Sequence, residues 1–288
     1  MNFSRLNKNS KLVKNLKDKS WWKTIVKLIN NDKNFNIQIR PKSINVYYKM
    51  ANFLKIVNDN PVAEIHYKFI PTKSEKEYVR IDFQDNIASL KSSMDIITED
   101  ILSNENIEKI KRIIEKYNSK GEKGFQSDLI KENHSIILDA EIASKEYGRI
   151  DLMIYNERSD EIIAVEFKVI TDSRLFNNEI VEQLERYKNF MSNKDSIKEA
   201  YIDTIQTKLH LGIIDNNSPL VNINENTKIS DYPILAITAH NQILIDEFQD
   251  RIQKKVAHIA YSLNMFGTTG SLLHFKGNNI PLMSQNAN

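Results

Sequence analysis

The sequence predicts an α/β protein in which a smaller, β-rich α+β region precedes a central mixed sheet flanked by helices. Three observations carry this. Between residues 35 and 83 apolar residues recur at every second position in short runs separated by turn residues, the pattern of half-buried strands. From residue 122 helical and strand periods alternate, and residues 233–238 form a continuous apolar run suited to a strand buried on both faces. In between, residues 147–169 read as two strands joined by a polar loop, each with acid where an apolar residue is expected.

Composition bounds the function. The 288 residues, 41% hydrophobic and 27% charged, are those of a soluble globular protein with one large or two ordinary domains. No run of about 18 apolar residues exists, so no membrane span and no membrane partner is expected. The basic start lacks the apolar segment of a secretory signal. Zero cysteines exclude disulfides and thiolate metal sites and fit a cytoplasmic location. The net charge of +2 hides an asymmetry. Residues 1–80 hold 17 Lys and Arg against 6 Asp and Glu, and the remainder holds 23 against 32. An anion-facing N-terminal region explains this; so does a solvated, lysine-rich surface.

In chain order, residues 1–19 read as a basic, frayed or partly helical arm. Ser20 is placed to cap a helix over 21–30 with Trp22, Ile25, Val26 and Ile29 on one face. Trp21 and Trp22 put one ring in a core and the other at its edge, or offer a ring to stack on bases. Strands follow at 37–39, 44–48, 53–57, 63–69 and 78–83, an antiparallel meander with one wet face. Outward Arg40, Lys42, Lys49, Lys55, Lys68 and Arg80 would make that face basic, with Arg40, Lys42, Lys49 and Lys68 as candidate nucleic-acid contacts. Isoleucines at three- and four-residue spacing over 94–117 predict one or two helices, with Gly121 as a C-cap. The basic region is thus 1–118, the second domain 119–276, and 277–288 a polar tail.

The second domain reads as a helix at 122–132, a strand at 136–142, the acidic strand pair, and a helix at 178–191. A helix at 194–210 and a loop at 215–228 precede the strand at 233–238, a helix at 243–261 and an edge strand at 271–275. Residues 267–270, Gly-Thr-Thr-Gly, read as a plain turn.

In the acidic pair, period-two alternation sets Asp151 and Met153 on one face and Ile150, Leu152 and Ile154 on the other. Glu166 and Lys168 likewise share a face. A loop centred between Arg158 and Ser159 puts Asp151 directly across from Glu166, with Cβ atoms roughly 4.5–5.5 Å apart. Two carboxylates that close need a cation between them or a proton on one. Lys168 supplies one positive charge, and a divalent ion would supply more.

These residues resemble the PD-(D/E)XK nuclease superfamily over roughly residues 120–240. Asp151 matches its metal-binding aspartate and Glu166-Phe167-Lys168 its (D/E)-x-K element. Gln183 and Tyr187, four apart on the following helix, match the Q-x-x-x-Y motif of the RecB-type branch. The motif's proline is replaced by Ile150. The first-helix glutamate has no unique counterpart: Glu122 opens the helix, and Glu132 and Glu141 are alternatives. The resemblance implies a restriction-endonuclease-like core and a Mg²⁺- or Mn²⁺-dependent deoxyribonuclease of restriction or repair type. Asp151, Glu166 and the Phe167 carbonyl would hold the metal, Lys168 would orient the attacking water, and Gln183 and Tyr187 would hold the site and substrate. A homodimer would suit double-strand cleavage. The alternatives are a non-catalytic nucleic-acid-binding module on the same fold, or a protein-interaction module. No G-x-x-x-x-G-K-[ST] loop, G-x-S-x-G elbow or H-E-x-x-H pair occurs, so those enzyme classes are not expected.

Overall fold

Residues 3–70, 77–84, 87–91, 96–97, 100–118, 121–239 and 242–266 are described by the computed structural model. The chain is an α/β protein with two sheets in two units, one of Ser4–Ser127 with Asp203–Asn217, the other of Asp128–Ile202 with Phe3 and the described residues from Ser218 on.

In the first unit β1 (Phe35–Ile39), β2 (Ser43–Tyr48), β3 (Ala51–Val57), β4 (Val62–His66), β5 (Tyr78–Gln84), β6 (Ile87–Lys91) and β7 (Ile96–Ile97) lie in sequence order. Each pairs antiparallel with the next. Lys49 and Met50, both at positive φ, close the β2–β3 hairpin between paired Tyr48 and Ala51. That left-handed pair matches the twist of the flanking strands. Ile37, Ile39, Ile44, Val46, Leu54, Ile56, Ile65, Val79 and Ile81 form one cluster with residues of α1 (Lys11–Lys17), α2 (Ser20–Asn31) and α3 (Asn104–Asn118). Asn36, Asn45, Glu64 and Arg80 alternate with them and keep solvent contact, so the meander has the one wet face that its alternation predicts.

Residues 11–17 form the helical part of the arm expected as frayed or partly helical: Leu12, Val13 and Leu16 are buried and the Ser10 hydroxyl accepts the Val13 N–H at 3.4 Å. Two local expectations are corrected. Ser20 lies inside α2, whose N-cap position is Lys19, with no side-chain cap. Ile96 and Ile97 pair with β6 as strand β7 instead of entering a helix; a short apolar run carries no period of its own. Trp21 and Trp22 are both buried. Trp21 stacks on Phe83 at 4.5 Å, and the Trp22 Nε1–H donates to the Leu211 carbonyl at 3.0 Å.

In the second unit the sheet runs β13–β12–β10–β9–β8, with β11 also pairing β10. Its members are β8 (Ile137–Ser144), β9 (Gly148–Asn156), β10 (Glu161–Val169), β11 (Lys228–Ile229), β12 (Ile234–Ala239) and β13 (Tyr261–Phe266). The β8–β9 and β9–β10 pairs are antiparallel and the rest parallel, so the sheet is mixed. Ile180 and Leu184 of α5 (Glu179–Met191) share an apolar cluster with Leu235 and Ile237 of β12 and with Ile252 and Val256 of α7 (Gln242–Val256). The division between units falls within α4 (Gly121–Glu132), after Ser127, and within α6 (Lys194–His210), after Ile202. The helix predicted to reach 261 ends at Val256, and Tyr261 begins β13 beside β12. The turn at 267–270, the strand at 271–275 and the tail at 277–288 lie outside the described residues. Among the described residues no helix is long and apolar enough to cross a membrane.

Candidate active site at a break in the β-ladder

Strands β9 and β10 pair in the register that sets Glu161 opposite Asn156 and Val165 opposite Leu152. The next rung holds Asp151 and Glu166. That rung is not closed by the main chain, because the β9–β10 pairing stops at Val165–Leu152. On the other side of β9 the pairing passes from Ala140–Leu152 to Ile142–Ile150 and omits Asp151 as well. The residue facing this gap is Glu141, held at φ +53°. A non-glycine residue in the left-handed region turns the strand locally and interrupts its ladder.

Side chains take over what the main chain gives up there. The Asp151 N–H donates to the Tyr187 hydroxyl at 2.8 Å, and the Phe167 N–H donates to Asp151 Oδ2 at 3.0 Å. A buried N–H left without such a partner would cost about 1–3 kcal/mol. The hydroxyl proton of Tyr187 faces Glu166 Oε2, with the Arg149 carbonyl also at 3.1 Å. Lys168 Nζ donates to Glu166 Oε1 and, at 3.1 Å, to the Phe167 carbonyl. The face that carries the acids is dry: Glu166 is 0% exposed and Lys168 2%.

The charge conflict predicted for Asp151 and Glu166 is resolved in both possible ways. Burial, then the Glu166 carboxylate and more weakly Glu141, push the Asp151 pKa up to about 8, against the Phe167 N–H and Lys168, which favour the anion. Burial also raises Glu166, opposed by Lys168, Tyr187 and a hydrogen bond with Asp151. Burial thus favours a proton on the pair, and Lys168 Nζ lies against Glu166 Oε1. Burial first, and then both acids, hold the Tyr187 phenol well above its ordinary value.

Glu141, at the β8 position facing Asp151 in the same register, is 21% exposed and paired with Arg149 Nη1 at 2.9 Å. Of the three glutamates weighed as the remaining acid, this is the one the sheet sets beside Asp151. Glu122 stands in the first turn of α4, among residues of the other unit, and Glu132 closes that helix. Gln183 is half-buried one turn before Tyr187, and its side chain makes no hydrogen bond among the described residues. Sequence reasoning missed Arg149. Its signal is positional, two residues before Asp151 and opposite Ala143 on β8.

Comparison with protein-family models, with curated proteins and with solved structures gave no match. The functional reading rests on the site itself.

Among the described residues no group of three or more His, Cys, Asp or Glu side chains is arranged to hold a metal ion. The donors that do converge are the Asp151 and Glu166 carboxylates and the Phe167 carbonyl. All are hard oxygens, a set that fits a Mg²⁺-like ion keeping several of its waters. Lys168 already places a cation against two of these three donors.

The candidate nucleic-acid contacts on the first unit's sheet are split between its ends. Arg40 and Lys42 are in the β1–β2 turn; Lys49, paired with Glu115 at 3.1 Å, and Lys68 are at the opposite end. The six residues of β2 separate them by roughly 20 Å.

Proposed function

We propose that the chain is a divalent-metal-dependent nuclease that hydrolyses DNA phosphodiester bonds, in a restriction or repair role, on a PD-(D/E)XK-type site within a restriction-endonuclease-like core. The observation that carries this reading is the convergence of Asp151, Glu166 and Lys168 at one buried break in the ladder. Supporting it, the antiparallel β8–β9–β10 trio is followed by α5 and then by the parallel strand β12.

Asp151, Glu166 and the Phe167 carbonyl would hold Mg²⁺ or Mn²⁺, which when bound neutralises phosphate charge and lowers the pKa of water. Asp151, whose proton is held first by burial and then by the Glu166 charge, would have to give it up to serve as a ligand. Lys168, turned from Glu166 toward substrate, orients the attacking water and stabilises negative charge developing on the phosphate. Tyr187 fixes both acids, one through its carboxylate and the other through its main-chain N–H. Gln183, on the same helix with no bond to break, is positioned to meet substrate.

Incubation with plasmid and single-stranded DNA, with and without Mg²⁺, tests the reading. Wild type should cleave only with metal, and Asp151→Ala and Lys168→Ala should not cleave. Cleavage that persists in both variants removes the assignment. One observation favours a second reading, a non-catalytic nucleic-acid-binding or protein-interaction module: Lys168 and Tyr187 between them already engage both Glu166 oxygens. Binding of DNA without cleavage under either metal would establish the nucleic-acid form of it.

A further inference from the structure

Within the first unit, α1, α2 and the turn after α6 enclose an open cleft of about 510 Å³. Lys17, Lys23, Lys27, Asn30, Asn31 and His210 line it, over a floor of Trp22 and Leu211 joined by their 3.0 Å hydrogen bond. No carboxylate is among the lining residues. Lys23 and Lys27 are four apart on α2 and so share its face. None of the three lysines is in an ion pair among the described residues, unlike Lys49, held by Glu115, and Lys111, held by Asp32 at 2.9 Å. The cleft also lies where the charge is densest. Residues 1–33 hold nine Lys and Arg against two Asp, most of the excess carried by residues 1–80.

We propose that this cleft, rather than the wet face of the sheet, binds the phosphodiester backbone of DNA through Lys17, Lys23 and Lys27, with Asn30 and Asn31 donating to phosphate oxygens. The choice of DNA as the polyanion rests on the nuclease reading. Unpaired ammonium groups around a shallow cleft, with amide donors beside them, are what sequence-independent phosphate binding needs. A second sign of positive potential is His210. Burial and then the Lys17, Lys8 and Lys14 ammonium groups hold its imidazole below the ordinary value, against Asp18. A phosphate in the cleft would cancel that repulsion.

The test uses the full chain, in chelator, with fluorescein-labelled duplex DNA and with poly-glutamate. Lys17→Ala/Lys23→Ala/Lys27→Ala should weaken DNA binding by about tenfold or more. It should also lower the slope of log K against log salt by about 2–3, near 0.9 for each phosphate no longer neutralised. The corresponding triple Lys→Arg variant should restore both, separating charge from any loss of fold, and Lys42→Ala/Lys68→Ala should change neither. Wild-type affinity and slope in the triple Ala variant would overturn the proposal. So would an Arg variant that fails to rescue, or poly-glutamate binding that matches DNA and depends on the same lysines, which would mark an acidic protein as the partner. Because binding is read without metal, a chain that never cleaves DNA would sink the nuclease reading and leave this result standing.

Discussion

The Tyr187 hydroxyl on α5 caps the main-chain N–H of Asp151 on β9 at 2.8 Å. One helix side chain thus completes a sheet that its own strands leave open, and holds Glu166 with the same oxygen. The helix and the acids are consequently one unit in energy as well as in geometry.

Tyr187→Phe should expose that dependence. It removes the hydroxyl that bridges the two acids and leaves the Asp151 N–H without its partner, at a cost of about 1–3 kcal/mol. Urea unfolding should show a lower midpoint with an unchanged slope. A variant as stable as wild type would mean that the gap in the ladder closes without the phenol.

The raised Asp151 pKa sets a pH dependence with a definite sign. The folded group holds its proton up to about 8, whereas its ordinary value is 3.8. Between these values the unfolded chain releases a proton that the native protein keeps, so metal-free stability falls as pH rises from about 4 to about 8 and levels off beyond. Asp151→Asn keeps an oxygen for the Phe167 N–H and has no charge to lose. Its melting temperature should change less over that window and exceed wild type at pH 8 by several degrees. Parallel pH profiles for the two proteins would assign the dependence to other groups.

Divalent metal should reverse the penalty. Mg²⁺ or Mn²⁺ at 100 times its Kd would add about 2.7 kcal/mol, and should act more strongly at pH 8 than at pH 6 because the Asp151 proton must leave first. Glu166→Gln should abolish most of the gain. Differential scanning fluorimetry with and without chelator reads all three, and equal stabilisation of Glu166→Gln would remove Glu166 from the metal site.

The identity of the remaining acid is separable by kinetics. Glu141→Gln should reduce cleavage by about tenfold or more, since Glu141 contributes charge at Asp151, whereas Glu122→Gln should leave it within twofold. Lys168→Met, which keeps the buried stem, should cost about 10²–10³ in rate, the size of losing one donor to developing charge. An inactive Glu122→Gln with an active Glu141→Gln would invert the assignment.

Much of this was legible from local pattern. The alternation of Ile150, Leu152 and Ile154 with Asp151, and of Val165 and Phe167 with Glu166, together with a polar loop at Arg158 and Ser159, sufficed to put the two acids on one rung. Strand period and hairpin length decide register, and both are local. The spacing of Gln183 and Tyr187 set them on one helical face for the same reason. What packing alone decided is which groups from distant segments meet. Glu141 replaced Glu122 as the neighbour of Asp151 because a left-handed residue in β8 opened the ladder there. Lys168 is buried beside Glu166 because both faces of β10 are covered. Lys17, Lys23, Lys27 and His210, separated by some 180 residues of chain, share a cleft because Trp22 is anchored to the Leu211 carbonyl. Periodicity states which way a side chain points; only the long-range burial of apolar surface states what it points at.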